Sequence, residues 1–110
     1  MKHETRDHEG CTVVAFEGDI DLQSSPEARS ALLAAVSGGN PVLVDLAGVT
    51  YIDSSGVASL VESFQNARKS GRQFALVSVS EGALRVLKLA RLDKVFTICE
   101  TLEDGVASVA

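Results

Sequence analysis

A strand-like apolar run followed by a polar helix start constrains the fold of this chain more than any other feature. Residues 42–46 are apolar at every position except Asp45, which is typical of a buried strand. A tight linker leads from this run to the element Asp53-Ser54-Ser55-Gly56. Apolar residues then recur at helical spacing, at Val57, Leu60, Val61 and Phe64. The pattern predicts a strand, a linker and a helix whose first turn carries hydroxyls and a carboxylate.

A helix start of this composition can hold a phosphate group. The first turn of a helix leaves N–H groups unpaired, and the helix dipole places partial positive charge there. Phosphate binds readily at such ends, and a serine placed there is a candidate for covalent phosphorylation. From the Asp53-Ser54-Ser55-Gly56 element alone, however, a plain cluster of helix-capping residues is the simpler interpretation.

Strand and helix patterns alternate along the rest of the chain. Residues 12–16 predict a strand, and residues 3–8 predict an edge strand joined to it by a turn at Glu9-Gly10. Further strands are expected at residues 42–46, 74–78 and 95–98, and helices are expected to begin near Ser24, Ser55, Ser80 and Thr101. Alternation implies parallel strands with helical crossovers. We therefore predict an α/β fold with a mixed central sheet of four to five strands and about four helices.

Size and composition predict one domain spanning residues 1–110. A chain of 110 residues with 45% hydrophobic content can build one core. No apolar run reaches the roughly 18 residues that a membrane span needs. Residues 1–7 are polar and lack the apolar segment of a secretory signal. We therefore expect a cytoplasmic protein without direct membrane insertion.

The charge is acidic and unevenly distributed. The net charge is −5, and residues 1–53 carry nine acidic and three basic side chains. This imbalance disfavours nucleic-acid binding and would suit a basic partner surface, although solubility is a sufficient reason for it. The basic residues Arg85, Lys88 and Arg91 are interpreted first as a solvated helix face, with partner binding as the alternative.

The residue types argue against an enzyme. A serine hydrolase would need a base near Asp53-Ser54-Ser55-Gly56, yet the histidines are His3 and His8, and no G-x-S-x-G motif is present. No phosphate-binding glycine motif indicates a nucleotide cofactor. Cys11 and Cys99 form no C-x-x-C motif, so we expect reduced, buried thiols rather than a zinc site. We expect no catalytic residue, no cofactor and no metal.

Three parts of the chain resemble a known family. They are Gly18-Asp19-Ile20-Asp21, the strand at residues 42–46, and Tyr51-Ile52-Asp53-Ser54-Ser55-Gly56. Together they resemble the STAS domain and, within it, the bacterial anti-sigma-factor antagonists (anti-anti-sigma factors), over roughly residues 11–109. The resemblance implies a STAS-type α/β sandwich. It also implies that the serine directly after the aspartate, here Ser54, is phosphorylated.

The resemblance further implies a binding site and its partners. The partner-binding residues would be Asp19, Asp21, Asp53, Ser54, Ser55 and Gly56. The unphosphorylated protein would bind an anti-sigma factor that is also a serine kinase, and this would release the sigma factor. Phosphorylation of Ser54 would end the binding, and a phosphatase would reset the protein. The alternative on the same fold is a regulatory STAS subunit of an ABC transporter, for example one that moves phospholipid.

Several roles within this site have alternatives. In the family's fold Asp21 and Asp53 follow neighbouring strands, so we expect both to approach Ser54. For Asp21 the alternative is a role in the turn alone, and for Asp53 helix capping is the preferred interpretation. Gly56 would allow the close approach of another chain, or would serve internal helix packing. Tyr51 is expected at the edge of the core.

Overall fold

Strands and helices alternate along the chain after an N-terminal hairpin. The structure is a computed structural model that describes residues 1–109. Its strands are β1 (Lys2–His8), β2 (Cys11–Ile20), β3 (Val42–Ile52), β4 (Phe74–Val77) and β5 (Thr97–Cys99). Its helices are α1 (Ser25–Ser37), α2 (Ser54–Lys69), α3 (Glu81–Leu89) and α4 (Leu102–Val109). The predicted α/β fold with a mixed sheet is confirmed.

One sheet joins the five strands in the order β1-β2-β3-β4-β5. The predicted edge strand β1 runs antiparallel to β2 through a turn at Glu9 and Gly10, whose φ angles of 49° and 81° suit a tight hairpin. The pairs β2–β3, β3–β4 and β4–β5 are parallel. The carboxyl ends of β2 and β3 therefore lie at the same edge of the sheet.

Helices cover both faces of this sheet. Helices α1, α2 and α3 pack on one face, and α4 packs on the other. In β3, Val42 and Val44 face the first group while Leu43 faces α4, and each of the three is 0% exposed. A strand that is buried on both faces needs a continuous apolar run rather than an alternating one. This explains the composition of residues 42–44.

The four helices begin within one residue of their predicted starts. Helix α1 ends at Ser37 with Gly38 as its C-cap, and Gly39 follows with a φ of 92°, in the left-handed region that glycine adopts without strain. Helix α2 begins at Ser54, one residue before the predicted start, and its 16 residues make it the longest described helix. Within residues 1–109, no helix is both long enough and apolar enough to cross a membrane.

Strand β3 continues well beyond its predicted end. It runs to Ile52, so the tight linker predicted after residue 46 is wrong, and β2 likewise extends to Ile20. Register shifts interrupt the pairing of these strands between Ala15 and Glu17 and between Gly18 and Asp19. Such irregularities break the two-residue period by which a strand is recognised in a sequence. The strand extension brings Ile20 and Ile52 side by side.

The strand predicted at residues 95–98 is displaced. Strand β5 covers only Thr97–Cys99, and the backbone N–H groups of Val95 and Phe96 donate to the carbonyl of Leu92 in a turn. Phe96 is apolar because it fills the core from this turn, where its ring centroid lies 5.2 Å from that of Phe64. The apolar residues in the range 95–98 therefore do not by themselves indicate a strand, since burial in a turn also requires them.

Both cysteines are free thiols. Cys11 is buried, as predicted, and it lies in the layer between the sheet and α4. Cys99 is only half-buried, since it lies on the short edge strand β5. The prediction of a buried thiol therefore holds fully for Cys11 and in part for Cys99.

Candidate functional site

The candidate site lies where β2 and β3 end. Ile20 and Ile52 are paired as the last residues of these strands. The backbone N–H of Asp53 donates to the carbonyl of Ile20 over 3.1 Å, which joins the two segments that leave the sheet. The prediction that Asp21 and Asp53 follow neighbouring strands is confirmed. Their carboxylates are close enough for the charge of Asp53 to oppose the lowering of the pKa of Asp21.

Asp53 caps the start of α2. One oxygen of its carboxylate accepts hydrogen bonds from the backbone N–H groups of Ser55 (2.9 Å) and Gly56 (3.1 Å) and from the Ser55 hydroxyl (2.5 Å). These bonds lower the pKa of Asp53, with the Ser55 hydroxyl as the largest cause. The capping role predicted for Asp53 is confirmed, and its role in partner binding stays a prediction.

The two adjacent serines have different environments. Ser54 is the first residue of α2 and is exposed, and its hydroxyl makes no hydrogen bond to any other described residue. Ser55 is half-buried, and its hydroxyl donates to Asp53. Of the two hydroxyls, that of Ser54 is therefore the one available to another molecule.

Asp21 organises its own loop. Its Oδ1 accepts from the backbone N–H groups of Gln23 (3.1 Å) and Ser24 (3.0 Å) and lies 3.0 Å from the Ser24 hydroxyl. These contacts lower the pKa of Asp21, those with Ser24 being the largest causes. Among the described residues no hydrogen bond joins Asp21 to Ser54. The turn role is therefore the one observed, and a role of Asp21 in partner binding stays a prediction.

Ser24 stands at the cap position of α1 but does not cap the helix. Its side chain makes no hydrogen bond to the first turn, although a serine directly before a helix is typically a cap. The hydroxyl is instead engaged by the loop, because it accepts from the backbone N–H of Asp21 over 2.9 Å. Ser24 and Asp21 thus fix each other, which a sequence pattern for helix starts does not reveal.

Acid is expected to loosen this loop and the first turn of α2. A carboxyl group with a lowered pKa in the folded state stabilises the fold above its unfolded pKa, and loses that effect as the pH falls through the folded pKa. For Asp21 and Asp53 the loss begins near the unfolded value of 3.8 and continues below it. Amide exchange by NMR should give constant protection factors for Ser24 and Gly56 between about pH 7 and about pH 5, and falling ones below about pH 4.

The Asp21→Asn variant serves as the control for this prediction. Its amide side chain does not titrate, so the protection factor of Ser24 should lose its acid dependence while that of Gly56 keeps it. Equal acid dependence at Ser24 in the variant and in the parent protein would contradict the assignment to Asp21.

Gly56 is buried beneath the site. A Cβ atom at this position would lie 2.7 Å from Cγ1 of Ile52, 2.8 Å from Cγ2 of Ile20 and 2.9 Å from the carbonyl oxygen of Ile20. The internal packing that was one of its two interpretations is therefore the one observed. Gly56 does not form part of the exposed surface, and a contribution to partner binding, which stays a prediction, would be indirect.

Two exposed apolar side chains border the site. Leu22 is 75% exposed in the loop after β2, and no sequence pattern assigned it a role. Tyr51 is 53% exposed, so the expectation of a core-edge position is wrong. The reason is that Tyr51 pairs with Asp19 beyond a register shift, where the outward positions of β3 cannot be counted from its start. The sequence feature that could have indicated an exposed Leu22 is its position as a single apolar residue between polar ones.

The carboxylates at this edge carry uncompensated charge. Asp19 is exposed and its Oδ1 accepts from the Thr50 hydroxyl over 2.6 Å. None of Asp19, Asp21 and Asp53 forms an ion pair within residues 1–109. A surface with unpaired negative charge attracts a basic partner and resists further negative charge.

The basic residues Arg85, Lys88 and Arg91 lie on α3 or directly after it. Arg85 and Lys88 are exposed on α3, where Arg85 pairs with Glu81 over 3.5 Å. Arg91 follows the end of this helix with a φ of 60°. The solvated-face interpretation describes what is observed, and partner binding by these residues stays untested.

Comparison with known proteins agrees with this architecture. The family model for the STAS domain matches residues 2–105. The anti-sigma-B factor antagonist of Bacillus subtilis is 28% identical, over 94% of this chain and 94% of the relative. The anti-sigma-F factor antagonist RsfB of Mycobacterium tuberculosis is 30% identical, over 94% of this chain and 84% of the relative.

A solved structure gives the same result at the level of the fold. The crystal structure of an anti-sigma factor antagonist from Mycobacterium paratuberculosis aligns with a TM-score of 0.89 and 29% identity, covering 98% of this chain and 92% of that chain. The sheet order, the helical layers and the site at the ends of β2 and β3 are thus found in a chain that matches a single family model along nearly its whole length. This chain belongs to the STAS domain family.

Proposed function

We propose that this protein is an anti-sigma-factor antagonist whose binding is switched by phosphorylation of Ser54. Its membership of the STAS family and its similarity to the antagonists named above support the first part. One observation carries the second part. The Ser54 hydroxyl is exposed and unbonded among the described residues, whereas the Ser55 hydroxyl is held by Asp53.

The partner in this proposal is an anti-sigma factor that is also a serine kinase. It binds the unphosphorylated protein, and this releases the sigma factor. The kinase then transfers the γ-phosphoryl group of ATP to Oγ of Ser54, ADP leaves, and a base on the kinase takes the hydroxyl proton. A separate phosphatase hydrolyses the phosphoserine and restores binding. The protein itself supplies the acceptor and catalyses neither step.

Electrostatics explain why such a phosphate would end binding. A phosphoserine adds about −1.5 to −2 charges at neutral pH. A helix start would ordinarily offset part of that charge through its free N–H groups. Here the N–H groups of Ser55 and Gly56 already donate to Asp53. The new charge would thus add to those of Asp19, Asp21 and Asp53, and these two N–H groups would not be free to offset it.

The site of phosphorylation is the first test. Anti-sigma factors encoded by the source organism are purified, and the one that binds the unmodified protein most tightly is taken as the cognate anti-sigma factor. Incubation with this protein and ATP should add one phosphate, which mass spectrometry should locate on Ser54. Ser54→Ala should accept none, and the matched variant Ser55→Ala should still accept one.

Two outcomes would overturn the proposal. A phosphate found on Ser55 would refute the choice of serine, because it would require the hydroxyl that is bonded to Asp53 to be the reactive one. Failure of every anti-sigma factor to bind, together with binding to a transporter ATPase, would favour the alternative function as a transporter subunit.

A further inference from the structure

The loop between β2 and α1 is held by several hydrogen bonds of its own. Within it, Asp21 accepts from Gln23 and Ser24, and the Ser24 hydroxyl accepts from the backbone N–H of Asp21. The backbone N–H of Ser25 donates to the carbonyl of Asp21 over 2.8 Å. The Ser25 hydroxyl donates to the carbonyl of Leu22 over 3.4 Å. The conformation of residues 21–25 is therefore fixed before any partner arrives.

Leu22 projects from this fixed loop. Its side chain is 75% exposed. Two residues before it, the carbonyl of Ile20 accepts from the backbone N–H of Asp53 over 3.1 Å. Asp53 directly precedes Ser54, so this hydrogen bond holds the start of the loop that carries Leu22 next to the proposed phosphorylation site. Nothing in the intramolecular packing requires an apolar side chain at Leu22, because most of its surface remains in contact with water.

We infer that Leu22 is the apolar anchor through which the anti-sigma factor docks on this protein. This inference deepens the proposed function and rests on it. The partner surface that fits is an apolar pocket with basic side chains at its rim. The pocket would receive Leu22, and the rim would face the unpaired carboxylates of Asp19, Asp21 and Asp53.

The fixed loop makes Leu22 an efficient anchor. Binding through a mobile segment costs the entropy of ordering that segment. The hydrogen bonds of Asp21 and Ser24 have already ordered this one. Most of the free energy gained by burying Leu22 is therefore available for affinity.

The same arrangement links Leu22 to the switch. A pocket that closes over Leu22 must exclude water from the neighbouring surface. That surface includes Asp53 and Ser54, because the hydrogen bond from Asp53 to Ile20 holds them beside the start of this loop. The hydroxyl of unphosphorylated Ser54 tolerates such desolvation at low cost. A phosphate group does not, because its charge would lose water without gaining a partner. Anchor and switch thus act on one patch of surface.

Leu22→Ala is the direct test, and Leu89→Ala is its matched control. Leu89 is similarly exposed, at 80%, but lies at the end of α3 rather than beside α2. Calorimetric titration with the purified cognate anti-sigma factor should show a dissociation constant raised by about 10- to 100-fold for Leu22→Ala and by less than about twofold for Leu89→Ala. Leu22→Met, which keeps the apolar volume, should bind within about threefold of the parent protein.

Thermal melting separates binding from folding. Both alanine variants should melt close to the parent protein, because truncating an exposed side chain removes little packing. An affinity of Leu22→Ala within about twofold of the parent value would overturn the inference. If Leu22→Ala binds weakly but phosphorylation leaves affinity unchanged, the anchor stands and the proposed switch fails. If phosphorylation weakens binding and Leu22→Ala does not, the switch stands and the anchor fails.

Discussion

Phosphorylation of Ser54 is expected to weaken binding to the cognate anti-sigma factor by about 100- to 1,000-fold. That change corresponds to about 3–4 kcal/mol of binding free energy. It is the cost expected when a charged group is buried without a partner or faces like charges across an interface. The difference is measured by two calorimetric titrations of the cognate anti-sigma factor without ATP, one with the fully phosphorylated protein and one with the unphosphorylated protein.

Two variants serve as controls for this expectation. Ser54→Ala cannot carry the phosphate and removes only an unbonded hydroxyl, so it should bind within about threefold of the unmodified protein. Ser54→Glu adds one charge rather than nearly two, and it should weaken binding by less than the phosphate does. Phosphorylated protein that binds as tightly as Ser54→Ala would contradict the proposed switch.

The effect does not require a change of shape. Asp53 occupies the N–H groups of Ser55 and Gly56, so these two donors are not free to bind a phosphate on Ser54. The ends of β2 and β3 are joined by the bond from Asp53 to Ile20, which a phosphate on the outer side of α2 does not disturb. The charge itself is therefore sufficient to change affinity, with electrostatics rather than refolding as the cause.

Much of the fold was predictable because burial leaves clear patterns. The continuous apolar residues 42–44 report a strand covered on both faces, and Gly38-Gly39 reports the end of α1. The extension of β3 to Ile52 was not predictable, because register shifts in its pairing with β2 obscure the alternation. The strand predicted at residues 95–98 was misplaced for a related reason, because a turn can also place an aromatic ring, here that of Phe96, in the core.

The candidate site was predictable only as a set of residues. The family pattern pointed to Ser54, and capping chemistry pointed to Asp53. The sequence could not say which hydroxyl is bonded, because Ser54 and Ser55 are chemically identical neighbours and differ only in their geometry relative to Asp53. It also could not distinguish an exposed Leu22 from a buried one, since exposure depends on the path of the whole loop.

Gly56→Ala is expected to lower the free energy of unfolding by about 1–3 kcal/mol, the usual cost of forcing an added methyl group into a packed core. The added methyl group would meet Ile20 and Ile52 at 2.7–2.9 Å, distances that real Cβ atoms essentially never show. One of the contacted atoms is the carbonyl oxygen of Ile20, which belongs to the backbone of β2 and cannot turn aside. Urea denaturation followed by circular dichroism measures the change.

A competing effect must be weighed against this steric cost. Alanine favours a helix over glycine by about 0.5–1 kcal/mol, and Gly56 lies in the first turn of α2. The steric term should prevail, because both isoleucines are nearly fully buried, at 2% and 1% exposure, and have no room to yield. The alternative response is a shift of α2 away from the sheet, which sacrifices packing and is also destabilising.

Gly38→Ala is the matched control for Gly56→Ala. Gly38 is the C-cap of α1 with a φ of −71°, which alanine also adopts, and its nearest neighbour would lie 3.3 Å from the new Cβ. Its free energy of unfolding should therefore change by less than about 1 kcal/mol. A Gly56→Ala protein as stable as the parent would show that α2 can move over Ile20 and Ile52 at little cost. In that case the position of Ser54 would rest on the hydrogen bonds of Asp53 rather than on the packing beneath it.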